Sequence, residues 1–301
     1  MIEGNTILEG QIDKPQECGI NTGDSEMLDD QADILDAAVD DEKSLKVKDR
    51  IKEYWTKRSG SFELQREHEL HDPISDRWLT EIRRYMPEID GDKPLRILDV
   101  GTGTGYFAIL LSRLGHQVTG IDLTPMMIAK AITLSRLEHT EPEFLVMDAE
   151  NPDFPDETFD MVITRNLTWT LPHTRHAYSE WFRVLKDGGI MLNFDADYGN
   201  EKTEEFDSLP DDHAHKTVGL RMMQENDLIK EELQISRYIR PLWDMQALME
   251  VGFDEIQVDT SVYRRIYLEK DIFFNPTPIF AISGKKHILP VYDPQIKATE
   301  D

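Results

Sequence analysis

Residues Ile97–Tyr106 read ILDVGTGTGY: an apolar run enters a loop in which Gly101, Gly103 and Gly105 alternate with two threonines. The helical pattern YFAILLSRLG follows from Tyr106 and closes at Gly115. Strand, glycine loop and helix form the opening unit of a parallel α/β sheet, and such a loop serves a tight turn, a phosphate cradle or close backbone approach to another ligand. A dinucleotide fingerprint would place its third glycine where Tyr106 stands. A side chain there makes the pyrophosphate geometry harder to build.

Outward from the loop, strands and helices keep alternating. HQVTGID, EFLVM, FDMVIT and GIMLNFD read as further strands. Thr124 and Pro125 supply the N-cap and first position of a helix through PMMIAKAITLSRLEH, and RHAYSEWFRVLK reads as another, stopped by Gly188 and Gly189. After a long polar stretch, PLWDMQALMEVGF is a helix stopped by Gly252, followed by strands DEIQVDTSV and TPIFAISG. The expected fold is α/β: a doubly wound, mainly parallel, seven-stranded sheet. Its core spans residues 94–197 and 241–287, with a helical lid at 43–93 and an insertion at 198–240 over the sheet's ligand-binding edge. Residues 1–42, acidic and without sustained period, read as a flexible arm, and 288–301 as a tail.

Acidic residues outnumber basic ones 59 to 33, giving a net charge of -26, which opposes binding to nucleic-acid phosphates or anionic membranes. Cys18 is the only cysteine, so no internal disulfide forms and a cytoplasmic setting is expected. No apolar run approaches the roughly 18 residues of a membrane helix.

Three strands in succession deliver a carboxylate to the edge where open α/β sheets bind ligands: Asp99, Asp122 and Asp148. Such acids crowd a polyphosphate and suit a ligand with a ribose diol, an exocyclic amine and a positive charge. S-adenosyl-L-methionine has all three. Asp122 would accept from the ribose hydroxyls and Asp148 from the adenine amine, with Asp99 either near the methionyl ammonium or its water, or bonded to the loop's own amides. Gly101 and Gly103 would let the backbone approach the methionyl part, and Leu123 and Ala149 would pack on the adenine faces.

The stretches ILDVGTGTGYFAILLSRLGHQVTGIDLTPMMIAKA, FLVMDAENPDFPDETFDMVITRNLTWTLP and EWFRVLKDGGIMLNF resemble the class I S-adenosylmethionine-dependent methyltransferases, in particular the small-molecule enzymes of ubiquinone/menaquinone type. The resemblance runs from about residue 47 to 285 outside the insertion. It implies a Rossmann-like methyltransferase fold, S-adenosyl-L-homocysteine as product and a small-molecule acceptor. It adds Arg165 and Asn166, facing the methionyl part, to the cofactor site, and has Tyr54, Trp55 and Arg58 close over it.

On the acceptor side, Asn166 is a candidate for orienting a nucleophile, Trp169 a pocket wall and His173 a candidate base. Asp195 and Asp197 either contact the acceptor, where they would favour a cationic or amine substrate, or cap the insertion. His213 and His215 stand beside Asp211 and Asp212 without a separated further ligand, so no metal is expected. Two rival readings share the fold's ligand: an aminopropyl transferase using decarboxylated cofactor, and a non-catalytic S-adenosylmethionine sensor.

Overall fold

The computed structural model describes residues 41–87, 93–200, 210 and 219–287. The acidic arm up to residue 40, Cys18, the His213–His215 pair and the 288–301 tail lie outside the described residues. All described residues but Asp41 belong to one unit, Glu42–Asp301. None of the described helices is long and apolar enough to cross a membrane.

The strands are β1 (Arg96–Val100), β2 (Gln117–Asp122), β3 (Glu143–Val146), β4 (Phe159–Arg165), β5 (Leu185–Ala196), β6 (Phe253–Asp259) and β7 (Ile279–Lys286). They form a seven-stranded sheet in the order β3-β2-β1-β4-β5-β7-β6. Pairing is parallel except along β7, which runs antiparallel to both β5 and β6. The central strands β1 and β4 are buried on both faces and mostly apolar, whereas the edge strands β3 and β6 keep exposed and half-exposed residues. In β1, Ile97 packs into one core and Leu98 into the other; in β4, Met161 and Ile163 face the first and Val162 the second.

Among the described residues the α-helices are α1 (Asp41–His71), α2 (Ile74–Arg83), α3 (Tyr106–Arg113), α4 (Pro125–Leu137), α5 (Thr174–Val184), α6 (Leu220–Glu232), α7 (Leu242–Val251) and α8 (Val262–Ile266). Trp78 of α2, Phe107 of α3 and Phe194 of β5 meet ring to ring in the first core. Tyr178 and Trp181 of α5 anchor the second with Leu248 of α7. A third, smaller cluster joins Val47, Ile51 and Tyr54 of α1 to Ile229 of α6 and Leu233 just after it. Helix α6 is the longest described element of the insertion.

Helix α1 runs unbroken through Ser59-Gly60-Ser61 to His71. Two elements depart from the sequence reading. Helix α5 ends at Val184, and Gly188 and Gly189 lie inside β5, where its register against β4 shifts between Phe159 and Met161. The stretch read as the end of a strand at Val262 starts helix α8, because Asp259 accepts the Ser261 amide at 2.7 Å and turns the chain.

The glycine loop hands β1 to α3. Its amide at Thr102 donates to Ile121 of β2 at 2.9 Å, fastening the loop to the neighbouring strand. Gly105, at φ 86°, is the residue before α3, and a Cβ there would lie 2.8 Å from the Phe144 ring. Gly105 thus supplies the close helix-to-sheet packing that a dinucleotide fingerprint assigns to the next position. Gly105→Ala should cost about 1–3 kcal/mol through overpacking and left-handed strain. Urea unfolding measures it, and a loss well under about 0.5 kcal/mol would show that the helix is not fixed by this contact.

Candidate functional site

A cavity of about 530 Å³ opens over the carboxyl ends of β1, β2 and β4, with α1 and α6 lining its far side. It brings together Asp99, Gly101, Gly103, Asp122, Leu123, Asp148, Ala149, Arg165 and Asn166 with Tyr54, Trp55 and Arg58. It does not include His173 or Asp195 among its lining residues.

Asp122 ends β2 with its carboxylate fixed on two sides. One oxygen accepts the Gly103 amide at 3.0 Å and the other the Thr124 amide at 2.8 Å. A carboxylate has about four acceptor positions, so these two bonds hold it while leaving capacity for a ligand diol. Burial raises its pKa, and the same two amides pull it back down. Asp99 is held more completely within its own loop: Oδ2 accepts the Thr102 hydroxyl at 2.6 Å and the Ala108 amide at 3.1 Å. Only 2% of its surface is exposed. Burial pushes its pKa up to about 7 against the opposing pull of those two donors.

Asp148 has a partner that sequence reasoning missed. Lys48, on α1, places Nζ 2.6 Å from Asp148 and 2.5 Å from Glu150, whose side chain is 1% exposed. Burial works against the Lys48 charge, yet the two carboxylates carry its pKa above the ordinary lysine value. The Ala149 carbonyl between these acids accepts the Trp181 indole N–H at 2.9 Å, so the second core fixes this wall. The signal for Lys48 was present in helical spacing: Lys48, Ile51, Tyr54, Arg58, Phe62 and Arg66 form one stripe of α1, and all line the cavity.

Past β4, Asn166 adopts φ 55°, a left-handed conformation that asparagine tolerates better than most residues. Its Oδ1 accepts the Tyr198 hydroxyl at 3.0 Å, and that hydroxyl accepts from Asn275 at 2.9 Å. Trp169 donates its indole N–H to the Asn166 carbonyl at 3.1 Å and lines the cavity, as expected of a wall. Arg165 is turned toward α1, pairing with Glu69 at 3.0 Å.

The remaining acceptor-side candidates stand elsewhere. His173 is the N-cap residue of α5, and its amide donates to Glu150 at 2.5 Å. Asp195 is fully buried, accepts the Thr168 hydroxyl and the Trp169 amide, and pairs with Arg240 at 3.1 Å. Asp197 accepts Asn200 Nδ2 at 3.0 and 2.9 Å, capping the turn after β5. Both aspartates therefore serve the packing of the chain after β5, and the amine preference inferred from an acidic rim loses its basis. Among the described residues no cluster of three or more His, Cys, Asp or Glu could hold a metal ion.

Residues 98–193 match the family described as a methyltransferase domain. The phosphatidylethanolamine N-methyltransferase of Cereibacter sphaeroides is 40% identical over 111 residues, covering 35% of this chain and 53% of that protein. The demethylmenaquinone methyltransferase of Chlorobaculum tepidum is 32% identical over 124 residues, covering 40% of this chain and 50% of its own. The chain thus spans about half the length of these curated relatives. A SAM-dependent methyltransferase from Thermotoga maritima superposes with a TM-score of 0.51 at 18% identity, covering 78% of this chain and 99% of that one; the likeness is one of fold.

Arg240 holds two buried carboxylates, Asp195 at 3.1 Å and Asp244 at 2.6 Å. Arg240→Met would leave both uncompensated and should cost about 3–5 kcal/mol. Denaturant unfolding reads the loss, and a change below about 1 kcal/mol would show that this network does not hold the end of β5.

Proposed function

We propose that this chain, which carries a methyltransferase domain of the class I S-adenosylmethionine-dependent group at residues 98–193, transfers the methyl group of that cofactor to a small-molecule acceptor. The observation that carries the reading is the Asp122 carboxylate, pinned by the amides of Gly103 and Thr124 at the cavity wall. An acid so placed is complementary to a ribose diol and opposed to a phosphate. Asp122 would hold the ribose, Leu123 and Ala149 the adenine faces, and the backbone at Gly101 and Gly103 the methionyl part. S-adenosylmethionine supplies a sulfonium-bound methyl and a neutral thioether as leaving group.

The protein's own task is alignment. Holding the two reactants in line is worth up to about 7–11 kcal/mol, enough for catalysis without a dedicated base when the nucleophile arrives deprotonated. Asn166, braced by Tyr198 and Trp169 at the end of β4, is the residue best placed to orient the acceptor. Tyr54 and Trp55, in edge contact at 5.2 Å, present aromatic surface from α1, where a sulfonium gains about 0.5–2 kcal/mol from a ring face. Helices α1 and α6 exclude water by closing over the cavity with their own apolar cluster.

Asp122→Ala should weaken cofactor binding by about tenfold to a hundredfold, the worth of one or two hydrogen bonds to a charged group, and should also lower the unfolding midpoint, because the Gly103 and Thr124 amides lose their acceptor. Calorimetric titration checks it, and unchanged affinity would remove Asp122 from the site.

Asp99 adds a pH signature. With its carboxyl poised at about 7, a cationic ligand favours the ionised form. Affinity should therefore tighten as pH rises through about 7, with proton release on binding, and level off above it. Asp99→Asn should flatten this rise; a wild-type profile that is already flat would exclude the contact.

A further inference from the structure

Two guanidinium groups share one carboxylate on the cavity wall. Arg66 and Glu69, three residues apart on α1, pair with each other. Arg165, the last residue of β4, places Nη1 3.0 Å from Glu69 Oε1 and Nη2 3.2 Å from Oε2. Trp78 donates its indole N–H to the same Oε1 at 3.0 Å. Glu69, 1% exposed, is thus saturated as an acceptor and cancels one positive charge of two. Aromatic faces surround the rest: the Arg165 guanidinium lies 4.7 Å from both the Trp78 and Tyr106 ring centres, and that of Arg66 lies 4.6 Å from Phe62.

Both arginines line the cavity. Their side chains are only 11% and 8% exposed, so the cluster buries a formal excess positive charge. Such a charge is costly unless an anion completes it, and a planar guanidinium fork matches a carboxylate or phosphate in two places at once. The acids expected to make this region negative, Asp195 and Asp197, are taken up by Arg240 and Asn200. The cluster also borders the far wall of the cavity. Tyr267 and Phe274, whose rings stand 6.1 Å apart, line the same cavity.

We infer that the methyl acceptor carries a carboxylate or phosphate group, that Arg66 and Arg165 bind this group, and that Tyr267 and Phe274 wall its apolar body. The inference rests on the methyl-transfer reading above and names the substrate class of that site. An anion at the same place has a second source, the methionyl carboxylate of the cofactor, and the experiment separates the two.

Titrate the full chain, alone and saturated with S-adenosylhomocysteine, with benzoate and phenyl phosphate as anionic probes and benzamide and benzylamine as neutral and cationic controls. The anions should bind at least about tenfold tighter than either control. Arg66→Gln should abolish that preference while S-adenosylhomocysteine affinity stays within about twofold. Equal binding of all four probes by the wild-type chain overturns the inference, whether or not the variant folds. So does an Arg66→Gln variant that loses S-adenosylhomocysteine affinity but keeps that for 5′-methylthioadenosine, which assigns the arginine to the cofactor's carboxylate. A wild-type chain that takes the anions but not S-adenosylhomocysteine overturns the methyl-transfer reading and leaves the anion site standing.

Discussion

The Asp122 carboxylate joins two segments that the chain makes separately, the glycine loop after β1 and the turn into α4. One oxygen takes the Gly103 amide and the other the Thr124 amide. These are charge-assisted bonds in a partly buried site, stronger than their neutral counterparts. They fix the loop against β2, which the Thr102 amide also grips through Ile121. Without this tie, the loop backbone and the strand-end acids would have no common frame, and the cavity floor would lose its shape. A structural role for this residue does not compete with the proposed ligand role, because the bonds that hold the carboxylate would also aim it.

The opposite side of the cavity is built by a different kind of contact. Helices α1 and α6 share an apolar cluster, and Arg50 binds Glu225 and Glu232 across them, each at 2.5 Å. Lys48 then fastens α1 to the sheet edge through Asp148 and Glu150. The latch and the expected adenine contact converge on one carboxylate, Asp148, which couples the adenine end of the site to the position of the covering helix. Cations from α1 and β4 offset the strand-end acids, so the cavity wall carries mixed charge within a strongly acidic chain.

Much of this was legible because parallel strands place their C-terminal residues at a common edge. The apolar runs located β1 to β5, and the spacing of Asp99, Asp122 and Asp148 located the cavity. What escaped were interactions across long sequence gaps. Nothing local in NFDADYG announces that Arg240, in the segment after α6, removes Asp195 from the acceptor side. Glu69 was missed because its partner Arg165 lies 96 residues away, while α1 runs on past Gly60, whose added Cβ would meet open space. His173 looked like a base from its neighbourhood in sequence, but the start of α5 sets it outside the cavity lining.

The central claim is that carboxylates fixed at the strand ends admit a sulfonium-bearing adenosine compound in preference to one bearing phosphates. Competitive calorimetry on the intact chain, with S-adenosylmethionine against NAD, tests it most directly. The account predicts one saturable site for S-adenosylmethionine that NAD does not displace. Saturable binding of NAD in the same cavity, with no uptake of S-adenosylmethionine, would contradict it.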